Sequence, residues 1–133
     1  MAKRFFGPSL PIAMLRMLMG LIFMAHAIAR LANYSLPGFG EFLDSKGFPF
    51  GFYLAWTITL FELLGGLMMF VRKFVKAFCI GEIIILLTGM ILVHWQNGWF
   101  VVGMTLGGIE YSVVLIVVLV AIFIAEEKVD NEE

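Results

Sequence analysis

Apolar residues along this chain gather into four long runs separated by short polar or aromatic stretches. A helix rises about 1.5 Å per residue and a bilayer's hydrocarbon core is about 30 Å thick, so roughly 20 mostly apolar residues span it. Residues 11–31, 52–71, 74–93 and 105–125 meet that requirement. The pattern therefore predicts an all-α membrane protein, a four-transmembrane-helix bundle forming one domain over residues 1–133. Pro8 and Pro11 suit the start of the first helix, where a missing N–H costs least. Only Arg72 and Lys73 interrupt the second and third runs, which predicts a tight turn between antiparallel neighbours. Residues 32–51 form an outer loop in which Phe39, Phe42, Phe48 and Phe50 alternate with Gly38, Gly40, Gly47 and Gly51. Such a loop is expected to lie in the membrane interface or to fold over the mouth of the bundle.

Composition agrees with lipid as the solvent. The chain is 62% hydrophobic and 14% charged, with a mean hydropathy of +1.00, whereas soluble domains run at about 45–50% and about 25%. A soluble chain this short has too much surface to hide so much apolar side chain. The net charge of −1 and the lack of a dense basic cluster give no reason to expect a nucleic-acid partner. Cys79 is the one cysteine, which excludes an internal disulfide, a CxxC redox centre and any multi-cysteine metal or iron–sulfur site.

Orientation follows from Lys and Arg near the ends of the runs. With both termini cytoplasmic, Lys3, Arg4, Arg72, Lys73, Lys76 and Lys128 lie inside, and only Arg30 and Lys46 face out. Trp95 and Trp99 then fall in an outer aromatic belt, and the acidic tail over 126–133 is a solvated cytoplasmic end. Lys3 and Arg4, the apolar run and Ala25-His26-Ala27 also have the form of a cleavable signal peptide. Three further spans and Arg16 inside the run weigh against cleavage.

Ionisable groups inside the runs carry the chemistry. Arg16, His26, Glu62, Glu82 and Glu110 fall within predicted spans, and His94 lies at the edge of one. On insertion scales an Arg or Asp costs about 2.5–3.5 kcal/mol at a helix centre, so such groups face the bundle interior and pair. Arg16, Phe23, His26 and Arg30 share one face of the first helix at about 100° per residue. Two groupings are expected: Arg16 with Glu62 or Glu82 in the inner half, and His26 and Arg30 with Glu110 and His94 in the outer half. Each reads either as a register-setting ion pair or as a binding clamp or proton relay. Glu82, just after Gly81 and near Lys76, reads as a structural member that snorkels inward. His26 is either a hydrogen-bonded imidazole or a proton donor and acceptor. Two histidines on separate helices could ligate haem, but their depths differ by several residues. No HExxH-like spacing supports a zinc site, and no metal is expected. Gly65-Gly66 and Gly107-Gly108 read as close-packing points between helices, or as room for a flat ligand.

An ordered series of motifs resembles the DoxX family of small four-helix bacterial membrane proteins. It comprises Arg16 and Gly20, His26-x-x-x-Arg30, Lys46-Gly47-Phe48-Pro49 and Glu62-Leu63-Leu64-Gly65-Gly66-Leu67. His94, Gly98-Trp99-Phe100 and Gly107-Gly108-Ile109-Glu110-Tyr111 complete it. Ala27 and Arg30 stand where Gly and Lys are commoner, and the family's Gly-rich ending is replaced by 125–133. The resemblance implies a bacterial cytoplasmic (inner) membrane location and links to quinone-dependent oxidoreduction. A quinone suits these residues, since it arrives through lipid and needs apolar walls with an acid and a base for its oxygens. On that expectation His26, Glu110 and Glu62 are catalytic, and Arg16, Arg30, His94 and Tyr111 bind the cofactor. Its partners beyond the lipid bilayer would be a redox protein or a second copy. The alternative is a non-catalytic membrane scaffold or small-molecule carrier, in which the buried charges only set register.

Overall fold

A computed structural model describes residues 7–132; Lys3 and Arg4, which bear on orientation, lie outside the described residues, as does the tail's last residue. The chain forms helices α1 (Leu10–Ala32), α2 (Leu36–Ser45), α3 (Gly51–Phe70), α4 (Val75–Gly89) and α5 (Glu110–Glu132). A π-helical turn, Met90–His94, and a 3-10 turn, Trp95–Asn97, continue α4. Among the described residues there is no strand. Leu10–Ala32, Gly51–Phe70 and Val75–Asn97 are long and apolar enough to cross a membrane. The protein is an all-α, multi-span, membrane-type helix bundle.

The fourth apolar run lies in α5, but that helix starts at Glu110 rather than at residue 105. The backbone explains the later start. Gly98, Gly103 and Gly107 take positive φ of 79°, 100° and 71°, a region open to glycine and costly within a helix. The segment 98–109 instead folds back on itself, with Gly107, Gly108 and Glu110 N–H donating to the carbonyls of Val101, Phe100 and Trp99 at 3.0 Å. Gly107-Gly108 therefore shapes a loop and not a helix crossing. Residues 32–51 also hold more structure than a loop. α2 buries Leu36 and Leu43 against Ala55 of α3, and Asp44 Oδ1 accepts the Gly51 N–H at 2.8 Å.

α1 packs on α3 and α5, and α4 packs on the same two helices, closing a four-membered ring. Small residues set the approach of α1 to α3. A Cβ placed on Gly20 would lie 2.5 Å from the Gly66 carbonyl oxygen, and one on Gly66 equally close to that of Gly20. The α3–α4 contact is aromatic: Phe61 and Phe78 meet at 5.0 Å between ring centroids. Phe78 lies over Gly65, and Phe61 over Gly81. Met19, Phe23, Met69, Cys79, Leu115, Leu119 and Ile122 fill the centre. Meanwhile Met14, Leu18 and Leu21 on α1, Ile80 and Ile84 on α4, and Val114 and Val117 on α5 face outward. That outward apolar surface would be a liability in water and is the expected contact with lipid.

The turn between α3 and α4 is tight, as Arg72-Lys73 implied. Arg72 and Phe74 both occupy the left-handed region, at φ 57° and 52°. For a residue with a Cβ this costs roughly 1–2 kcal/mol. At Arg72 the strain is offset by the ion pair described below.

Candidate functional site, a polar cavity beside the Arg30–Glu62 pair

The inward face of α1 carries Ala13, Arg16, Gly20, Phe23 and Ala27, with Arg30 one turn further on. From there the Arg30 guanidinium reaches across to α3, donating to Thr59 Oγ1 at 2.8 Å and pairing with Glu62. Thr59 and Glu62 are one turn apart, so both fall on the buried face of α3. α2 covers this pair from outside, with the Phe39 ring centroid 5.2 Å from Arg30 Cζ.

Beside the pair lies a cavity of about 230 Å³. Its polar lining is His26 and Arg30 from α1, Glu62 from α3, His94 from the π-helical turn, and Tyr111 and Ser112 from α5. Phe23, Ile85, Leu86 and Leu115 supply apolar walls. His26 and Tyr111 are exposed, so the cavity reaches the surface at these two residues. His94 Nδ1 lies 2.7 Å from the Gly107 carbonyl oxygen. A carbonyl only accepts, so Nδ1 carries the proton, and in the neutral ring Nε2 keeps its lone pair. A π-helical turn at such a position is common where a functional side chain is re-aimed.

Five of the seven expected site residues thus meet at one cavity: His26, Arg30, Glu62, His94 and Tyr111. Glu110 does not join them. Its carboxylate accepts the Val101 N–H at 2.8 Å and so caps the 98–109 loop. Arg16 is likewise elsewhere, paired with neither Glu62 nor Glu82. It donates to the Met69 and Phe70 carbonyls, the latter at 3.0 Å, and its Nε lies 3.8 Å from Glu126 Oε1. Arg72 holds the same carboxylate through Nε at 3.0 Å and Nη2 at 2.9 Å.

Glu126 is therefore no part of a solvated tail; it is 5% exposed and sits between two guanidiniums. The helical spacing of Ser112, Leu115, Leu119 and Ile122 continues to Glu126 and could have revealed it. Glu82 also departs from expectation. It is 0% exposed, does not snorkel, and neither carboxyl oxygen has a hydrogen-bond partner. Among the described residues no three of His, Cys, Asp and Glu are grouped to hold a metal ion.

No curated protein and no solved structure gives a significant match to this chain. The DoxX family model matches residues 12–95, which takes in α1 to α4 with the π-helical turn. The match includes His26, Arg30, Glu62, Glu82 and His94, whereas the Gly98-Trp99-Phe100 and Gly107–Tyr111 motifs fall outside it. With more than half of its length under that match, the chain belongs to the DoxX family.

Proposed function

We propose that this protein binds a lipid-soluble quinone in the outer cavity and works as a quinone-handling redox component of a bacterial cytoplasmic membrane. The observation that carries the reading is a small, apolar-walled cavity, reaching the surface at His26 and Tyr111, that gathers polar side chains from four helices. At about 230 Å³ it is smaller than the roughly 300–1,000 Å³ of drug-sized sites, which suits one substituted ring. A hydrophobic tail would leave between α1 and α5 into lipid.

The residues fit such a ring. His26 stands at the opening, where it can donate to one ring oxygen, and Tyr111 faces it from α5. His94 offers Nε2 as an acceptor, and Arg30 supplies a fixed positive charge beside Glu62. When bound, a quinone supplies two-electron, two-proton redox chemistry; the electrons would come from a redox protein partner. The chain's own groups hold the protons: His26 at the mouth and Glu62 at the Arg30 end. Glu110 and Arg16 are left out of this assignment because their side chains are engaged away from the cavity.

The same proposal takes α5 as a fourth span and residues 1–133 as a single membrane domain with both termini cytoplasmic. Arg72, Lys73, Lys76 and Lys128 then share the inner side. A scaffold or carrier role, alone or as a homo-oligomer, is favoured by one fact: Arg30 and Glu62 satisfy each other without a ligand. Titration of a short-tailed quinone into the reconstituted protein separates the readings. His26→Ala and Tyr111→Phe should each weaken binding by about tenfold, roughly 1.4 kcal/mol, while Glu110→Gln leaves it unchanged. Absence of saturable quinone binding to the wild type would leave the scaffold standing.

A further inference from the structure

The bundle interior is layered along its axis. At the outer end the cavity holds the Arg30–Glu62 pair, and at the inner end Glu126 lies between Arg16 and Arg72. Between them is an apolar layer that includes Met19, Met69, Cys79, Leu119 and Ile122. Glu82 is fully buried, one helical turn from Cys79 of that layer. Helical spacing sets its height: Cys79 is one turn nearer the inner end, while Ile85 and Leu86, one turn nearer the outer end, line the cavity. Glu82 is therefore about 5 Å, one helical turn, beneath the cavity wall.

Its isolation is informative. Four charged side chains are buried among the described residues: Arg16, Glu62, Glu82 and Glu126. Arg16, Glu62 and Glu126 have ion-pair partners, so Glu82 is the exception, with both oxygens unpartnered. An ionised carboxylate without water or hydrogen bonds costs far more than the neutral acid. A carboxyl kept only for register would be paired, as Glu62 and Glu126 are. One turn above Glu82, the cavity lining includes Glu62 of α3 and Arg30 of α1, while Glu126 is held with Arg16 and Arg72 at the inner end. Arg30, Glu62 and Glu82 make a group of one positive charge and two carboxyls, which one shared proton leaves neutral.

We propose that Glu82 is a proton-exchanging carboxyl that shares one proton with Glu62 and delivers it to the outer cavity. In the transfer the O–H bond of Glu82 breaks as one forms on a Glu62 oxygen, directly or through a single bridging water. Glu82 takes up the negative charge that Glu62 gives up, Arg30 balances either form, and no electrons move. The inference rests on the cavity as the site of chemistry and not on the identity of its ligand.

Infrared spectroscopy of the reconstituted protein tests this without any quinone. The wild type should show a protonated-carboxyl C=O band that shifts in D₂O, is lost in Glu82→Gln, and returns at an altered frequency in Glu82→Asp. Glu62→Gln leaves Glu82 as the carboxyl that balances Arg30, so the band should weaken or vanish there as well. Glu62→Asp, which keeps both carboxyls, should retain the band and its exchange in D₂O and guards against misfolding of Glu62→Gln. No Glu82-dependent band, or a band of full intensity in Glu62→Gln, would overturn the proposal. Failure of quinone binding would leave these bands as they are, so the two readings fail separately.

Discussion

Gly20→Ala is the sharpest test of how the bundle is held. The new Cβ would lie 2.5 Å from the Gly66 carbonyl oxygen and 3.3 Å from the Phe70 nitrogen. Ordinary contact begins at 3.4 Å, so the first distance falls about 0.9 Å short. Both neighbours are backbone and cannot rotate away. The helices must separate or shift, and overpacking of this kind costs about 1–3 kcal/mol. Within a helix the same change returns roughly 1 kcal/mol of propensity, so the net loss is about 0–2 kcal/mol. Gly38→Ala supplies the control, because Gly38 is also helical and nothing stands within 4 Å of its Cβ. It should gain stability by up to about 1 kcal/mol. The two variants should therefore differ by about 1–3 kcal/mol, measured as unfolding free energies in mixed micelles. Equal stabilities, or a more stable Gly20→Ala, would refute the close crossing of α1 and α3.

Three other outcomes follow from the buried charges and the loop. Glu126→Gln leaves two arginines without their carboxylate and should cost about 3–5 kcal/mol, whereas Glu127→Gln, at an exposed neighbour, should stay within about 0.5 kcal/mol; the same micelle denaturation reads both. Glu62→Leu leaves the partly buried Arg30 without its ion-pair partner and should lower stability by about 1–3 kcal/mol, with Glu62→Leu/Arg30→Met recovering much of the loss in a double-mutant cycle. Glu110→Gln weakens the hold on the Val101 N–H, so hydrogen exchange across 98–109 should accelerate while α1 and α3 stay protected; unchanged exchange there would remove the capping role.

Much of the architecture was legible because lipid imposes simple rules. Run length predicted the helices, Arg72-Lys73 the tight turn, and the cost of intramembrane charge the polar interior. The face shared by Arg16, Phe23 and Arg30 does turn inward, although His26 lies at its exposed edge. Pairing was not legible. Depth along the chain pairs Arg16 with Glu62 or Glu82, yet in the fold it meets Glu126, which lies past the last apolar run. The start of α5 is hidden in the sequence for a related reason. Residues 105–109 are apolar enough for a span, and only the positive φ of Gly107 and its loop hydrogen bonds end the run.

The sequence by itself determined the solvent, the helices and the need for buried charge, since each depends on side-chain transfer energies and spacing along one helix. Which charge meets which was decided only by tertiary structure. Helix order and rotation bring Arg30 to Glu62 and Arg16 and Arg72 to Glu126, leaving both Glu82 carboxyl oxygens without a hydrogen-bond partner. Periodicity identifies the face of a helix, but the partner on that face is set by packing between helices, through contacts such as Gly20 on Gly66 that no single helix contains.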